Sequence, residues 1–389
     1  MKRYVARRMV QIIATLLIYL TLLFFILQAL PGDITSLYVL NPEVPPEARE
    51  ALRQRLGLDR PLYLQYLSHV KNFFTGNFGV SFSHYPRPVI DVILERLPRT
   101  VFLFLTATLI SFYLGFVLGK VIAWRRGERI DYAATIGGVS FYTVFTPLLA
   151  LILIWMFAFK LGWFPINKFI DPLIWRNASV NSNTVFSYMI LSAGVFAIVM
   201  IAVRLLTRRT GRLATRRLIY LVALVVGVGV LLFSWNRSGV GHLAFDILRH
   251  LVLPVVTITL VAFGGTMLLM RDSMLETIRE DYVMAARAKG LPERVVRDKH
   301  AARTALLPVV TSFVLSIGFV VDGGIITETV FSWPGIGLTL LQSVTSNDIP
   351  LALGAFVFTG VFALIAHLVA DVMYAYLDPR ISYDRPKEG

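Results

Sequence analysis

Eight stretches of this chain are apolar enough and long enough to cross a lipid bilayer, and that feature constrains the fold more than any other. A spanning helix needs about 20 apolar residues at a rise of about 1.5 Å each. The runs are Met9–Leu30, Thr100–Gly119, Tyr132–Phe159, Val185–Val203, Leu218–Trp235, Leu251–Met270, Thr304–Val321 and Leu351–Ala370. Of the 389 residues 56% are hydrophobic and only 16% charged, with a mean hydropathy of +0.68. A soluble domain of that composition would expose aggregating patches. The expected fold class is therefore an all-α polytopic membrane protein, a helical bundle of about eight spans. Lys2, Arg3, Arg7 and Arg8 precede the first run as they would in a secretory signal. That run is too long for a cleaved segment, and LQALPGD offers no A-x-A site, so it reads as an uncleaved first helix.

Orientation follows from the basic residues. With the N-terminus placed inside, 25 of the 38 Lys and Arg fall on cytoplasmic pieces and five on short outer loops. The remaining eight lie in the long outer segment 31–99, where the charge rule is weak. Both termini are expected to be cytoplasmic, in an inner or cytoplasmic membrane. The net charge of +14 flanks apolar runs, which points to membrane topology and not to nucleic acid. The organisation expected is a first transmembrane helix at 1–30 and an extracytoplasmic segment of short amphipathic helices at 31–99. A transmembrane domain follows at 100–379, containing a helical hairpin at about 180–240 and a cytoplasmic loop at 271–303, and 380–389 is a cytoplasmic tail. Within 31–99, PPEAREALRQRLG, PLYLQYLSHVKNFFTG and PVIDVILERLP each read as a short helix, the last closed by Pro98.

Catalytic chemistry finds no footing. The chain has no Cys, hence no disulfide, thiol nucleophile or thiolate metal site. GFVLGKV at 115–121 is one residue short of a phosphate-binding loop and lacks the Ser/Thr that would hold Mg²⁺. Gly115 and Gly119 read instead as a small-xxx-small helix contact, with Lys120 snorkelling to the inner surface. No zinc-protease, nucleophile-elbow or paired-carboxylate pattern occurs. No catalytic residue, metal or cofactor is expected. No charged residue falls mid-span in the eight runs, which argues against an ion-coupled transporter. The residues such an alternative would use are His367 and Asp371, four apart near the end of the last run. Asp322 and Glu328 sit at the opposite, outer boundary of the seventh.

One inner loop stands out. Residues 281–303 carry nine charged side chains between two apolar runs. DYVMAARAKG reads as a short helix, with Asp281 at its start and Gly290 at its end. Ala285, Ala286 and Ala288 leave a low-relief surface that another protein's backbone can approach.

This segment resembles the EAA coupling loop of ABC importer permeases, in the form found in the dipeptide/oligopeptide permease family. The matching residues are Asp281, Tyr282, Val283, Ala286–Leu291, His300, Arg303 and Ala305–Pro308. Met284 stands where the general pattern has Glu, and Thr304 where the family usually has Asn. RRMVQIIATLLIYLTLLFFILQALPGD, LGLDRPLYLQY, GNFGVSF, RPVIDVILERLPRT, HLVLPVVTITL, ETVFSWPGIG and DVMYAYLDPRI are similar to the family's recurring segments.

The resemblance implies a six-helix permease subunit that is itself catalytically silent. Its implied partners are a homologous second permease, two ATP-binding subunits that hydrolyse ATP, and an extracytoplasmic substrate-binding protein. It implies ATPase coupling through Asp281, Tyr282, Ala285, Ala286, Arg287, Ala288, Lys289, Gly290 and Leu291, and a translocation path formed between two subunits. Di- or oligopeptides are the implied substrates, with oligosaccharides, glutathione and nickel as alternatives within the family. The chain departs from the family at about 175–249, where Val185–Val203 and Leu218–Trp235 add a pair of spans around RLLTRRTGRLATRRL.

Overall fold

The computed structural model describes residues 2–28, 61–207, 213–318, 320 and 324–377. Among them, regular structure is helical apart from one antiparallel bridge between Val80 and Pro88. Hydrocarbon offers no water to backbone N–H and C=O groups, and a helix satisfies them internally. Seven helices contain spans: Arg8–Ile26, Val89–Trp124, Ser182–Leu206, Ala214–Arg237, Gly241–Thr277, Glu293–Ile317 and Ile349–Val369. The pair Arg129–Thr143 and Thr146–Lys160, broken at 144–145, counts as an eighth when taken as one span. These overlap the eight apolar runs one for one.

The helices are α1 (Lys2–Gln28), α2 (Leu62–Thr75), α3 (Val89–Trp124), α4 (Arg129–Thr143) and α5 (Thr146–Leu153), which continues as a π-helix to Lys160. Then come α6 (Pro172–Trp175), α7 (Ser182–Leu206), α8 (Leu213–Arg237), α9 (Gly241–Thr277) and α10 (Asp281–Ala288). α11 (Glu293–Val295) runs through a π-helical turn, Val296–Ala301, into α12 (Ala302–Gly318). α13 (Ile325–Val330), α14 (Ile336–Thr345) and α15 (Ile349–Leu377) complete the order.

One boundary differs from the sequence reading. Pro98 does not close a separate helix; it lies inside α3, which runs unbroken from Val89. An interior proline removes one intrahelical bond and crowds the carbonyl four residues back, at a cost of about 3 kcal/mol. Against that loss, Val89, Val92 and Ile93 are fully buried with Ile336 and Leu351, which holds the first turns of α3 in line with the rest. α2 is found where PLYLQYLSHVKNFFTG places it, ended by Gly76 at φ +69°. PPEAREALRQRLG lies outside the described residues.

The chain divides into two compact units. The first comprises Met1–Thr146, Ile258–Thr329 and Pro334–Gly389. In it α15 packs against α1, α3, α12 and α14, and α3 also meets α4, α12 and α14. Gly115 and Gly119 allow the second half of α9 to approach α3 closely. A Cβ on Gly115 would lie 2.6 Å from Thr266 Cβ, and one on Gly119 2.5 Å from the Met267 carbonyl oxygen. The small-xxx-small reading of GFVLGKV therefore holds.

The second unit comprises Pro147–Thr257 and Val330–Trp333. Its polar anchor is Asp246, which accepts the Asp171 amide at 3.0 Å and the Trp175 indole N–H at 2.8 Å. Trp333 is fully buried there, edge-on to Phe169 at 5.0 Å between ring centroids. α7 and α8 form an antiparallel pair joined along its length by Trp235 Nε1 to Ser192 Oγ and by Gly227 beneath Phe196.

Candidate coupling site

The loop after α9 is built on an apolar seat. Met270 and Met274 of α9, Ala123 of α3, and Val296, Ala301, Ala302, Ala305 and Val309 form one buried cluster with Val283 and Ala286. Val283 and Ala286 are three apart, so a single stripe of α10 faces inward. Tyr282, Met284, Ala285, Ala288, Lys289, Gly290 and Leu291 are exposed, as are Asp281 and Arg287.

The ends of α10 follow from its sequence. Asp281 stands in the first turn, favourable to the helix dipole. At the other end the Gly290 amide donates to the Arg287 carbonyl at 2.9 Å with φ +71°, the left-handed terminator that glycine adopts without strain. Nothing lies within 4 Å of where a Gly290 Cβ would be, so backbone conformation rather than space selects glycine there.

Ion pairs tie this loop to the helices behind it. Asp298 accepts both Arg297 Nε and Nη2, at 2.8 and 3.0 Å, and lies 3.0 Å from Lys120 Nζ. Lys120 is thus more than a snorkelling side chain: it crosses from α3 to the loop, its stem leaving the ammonium 5.1 Å from the Phe116 ring. Arg287 lies over the Trp124 ring at 5.0 Å and 3.4 Å from Glu293. Asp131, at the start of α4, is gripped by Arg271 Nε and Nη2 at 2.8 and 3.1 Å and accepts the Gly127 amide at 3.1 Å. Such two-point arginine–carboxylate pairing fixes orientation as well as distance. It clamps α9 just before the loop begins.

The other residues singled out from sequence are placed as follows. His367 Nδ1 lies 2.7 Å from the Ala363 carbonyl of its own helix. The Asp371 side chain and Asp322 lie outside the described residues. Glu328 is completely buried and accepts the Thr100 hydroxyl at 2.7 Å and the Leu338 amide at 2.9 Å. Among the described residues, no group of three or more His, Asp or Glu is arranged to hold a metal ion.

Of the nine coupling residues, Ala286 alone turns inward. The reading that put three alanines on one docking surface is corrected on this point: 285 and 288 share an outward face, whereas 286 shares the stripe of Val283. The clamps made by Asp131, Asp298 and Glu328 escaped sequence reasoning. Asp131 and Glu328 are lone carboxylates near a boundary and Asp298 is one of a run of charges, and because the partners across the fold lie up to 228 residues away no local pattern announces the pairing.

Residues 113–383 match the binding-protein-dependent transport system inner membrane component family, and residues 1–104 match the N-terminal part of that membrane component. The chain belongs to this family. The permease is 31% identical over 385 residues to the oligopeptide transport system permease protein AppB of Bacillus subtilis strain 168, covering 98% of this chain and all of that one. It is 31% identical over 386 residues to the di/tripeptide transport system permease protein DppB of Pseudomonas aeruginosa UCBPP-PA14, covering 99% and 100%. It is 29% identical to the glutathione transport system permease protein GsiC of Escherichia coli K12, covering 98% and 100%. It is accordingly a multi-span membrane permease subunit of an ABC importer, a class that works with a substrate-binding protein and ATP-binding subunits. The alternative of an ion-coupled transporter using His367 and Asp371 is not favoured.

Proposed function

We propose that this permease forms half of a translocation path for di- or oligopeptides and is driven by ATP-binding subunits that dock on residues 281–291. The observation that carries the docking proposal is the division of α10 into a buried stripe, Val283 and Ala286, and an exposed face that includes Tyr282, Ala285 and Ala288. A helix seated this way moves with α3, α9 and α12 and not independently of them. Force applied at its outer face is then transmitted to the bundle. ATP shifts the permease pair between outward and inward access only by binding one state of the ATPase dimer more tightly than the other.

In this reading the two ATPase subunits hydrolyse the ATP, a homologous second permease supplies the other half of the path, and a binding protein delivers substrate outside. The distribution of Lys and Arg, 25 on one side against five on short loops of the other, supports cytoplasmic termini. The peptide class rests on the names of the relatives, and glutathione, itself a peptide, falls within it.

The test is reconstitution of both permeases and the ATPase subunits in vesicles, with the binding protein outside. Peptide accumulation should require ATP on the cytoplasmic face and survive a protonophore. The permease alone should hydrolyse no ATP. Uptake that needs an ion gradient and ignores ATP would overturn the assignment.

A further inference from the structure

The α7–α8 hairpin takes no part in the coupling site, yet its chemistry is unusual. Between Asp171 and Asp246 the sequence has no Asp or Glu, while Arg204, Arg208, Arg209, Arg212, Arg216 and Arg217 fall within 14 consecutive residues of it. The hairpin itself offers Arg204, Arg216 and Arg217 no acidic side chain as a counter-charge. At this end lies an open, shallow groove of about 540 Å³, lined by Met200, Ile201 and Arg204 of α7 and by Arg216 and Tyr220 of α8.

We propose that this groove binds the headgroup of an anionic phospholipid. One arginine stands on each wall, so a phosphate entering between them meets two guanidinium forks, which match its oxygens better than ammonium groups would. Tyr220 is one turn deeper than Arg216, with its ring 5.8 Å from the Arg216 guanidinium, and it presents an amphipathic ring at headgroup level. Met200 and Ile201 supply an apolar wall for the acyl chains. Below the groove both helices are bare: only 6% of each spanning window is buried. Arg237 ends α8 21 residues beyond Arg216, roughly 30 Å of helix, which matches the hydrocarbon thickness and puts the groove at a bilayer surface.

Topology alone does not require this arrangement. The positive-inside rule is met by basic residues anywhere in the connecting segment. It does not call for an arginine on each side of a groove with a tyrosine beneath. Two spans separate this tip from the loop carrying α10, so both lie on the same side of the membrane.

The experiment is native mass spectrometry of the full-length permease, delipidated in detergent and titrated with phosphatidylglycerol, cardiolipin or phosphatidylcholine. Wild type should retain the anionic lipids preferentially, and Arg204→Gln with Arg216→Gln should lose roughly fivefold of that preference per arginine. Arg237→Gln, at the other end of the same helix, should leave it unchanged. Raising salt from 0.15 to 1 M should weaken the preference of wild type, a readout that needs no variant. Soluble glycerol 3-phosphate should not displace the lipid, because it lacks the chains that lie along the apolar wall. No anionic preference in wild type overturns the proposal. So does a preference that the double variant keeps, one that Arg237→Gln removes equally, or quantitative displacement by glycerol 3-phosphate.

Discussion

Thr100 of α3 donates its hydroxyl to the Glu328 carboxyl at 2.7 Å, across 228 residues of chain. The same hydroxyl accepts the Ile336 amide at 2.8 Å, so one threonine bridges α13 and the start of α14. Gly335 and Gly337 leave room for the carboxyl; a Cβ on Gly337 would come within 2.9 Å of the Ile325 backbone. Glu328 lies outside the spans. Burial pushes its carboxyl up to about 7, against hydrogen bonds from the Leu338 amide, Thr100 and the Gly337 amide that pull it down.

The first prediction follows from that shift. Because the folded value is raised, the folded state binds the extra proton between about pH 4.5 and pH 7. Stability should therefore fall as pH rises through this window, by at most about 3 kcal/mol, and level off above it. Glu328→Gln keeps the shape and removes the titration. Thermal unfolding of purified permease between pH 4 and 8 should show the slope in wild type and its loss in the variant. A stability that rises across the window in wild type contradicts the assignment.

A second prediction separates docking from folding in α10. Ala288→Glu places a carboxylate on the exposed face, so the permease should melt normally but lose its ATPase subunits during purification. Ala286→Glu buries a charge among Met270, Met274 and Val296, at a cost of several kcal/mol, and should lower the melting temperature of the permease alone. Equal melting temperatures for the two variants would show that the buried stripe is misassigned.

The third concerns the contact between α3 and α9. Gly119→Val puts branched bulk where a Cβ already meets the Met267 carbonyl and Met270, so the helices must separate. Overpacking of this kind costs roughly 1–3 kcal/mol. Gly137→Val, where nothing lies within 4 Å, is the control of similar composition. Detergent melting curves should distinguish them, and matching curves would remove the close-packing argument.

A fourth tests orientation. The chain has no native Cys, so a cysteine at Thr210, in the segment joining α7 and α8, is the sole reactive thiol. An impermeant maleimide should label it only after the cytoplasmic face is opened. Labelling from outside in intact cells would reverse the assigned topology or remove a span.

The sequence by itself marked which segments are apolar and long enough to cross a bilayer. Twenty apolar residues at helical rise suffice for a crossing, and seven of the eight runs fall on single long helices while the other falls on a helix pair bent by 105°. It also determined where α10 ends, since Gly290 acts through its own backbone, at φ +71° with its amide on the Arg287 carbonyl. Gly115 and Gly119 were legible for the same reason, because four-residue spacing is enough to put both on one face. What it could not settle was which alanine of α10 turns inward. Ala285, Ala286 and Ala288 are the same residue, and only the position of Val283 against Met270 and Met274 chooses among them. The clamps Asp131–Arg271, Asp298–Lys120 and Glu328–Thr100 join residues 140, 178 and 228 apart. A carboxylate at such a boundary reads the same whether it meets water or a partner, and packing of distant helices alone decides which.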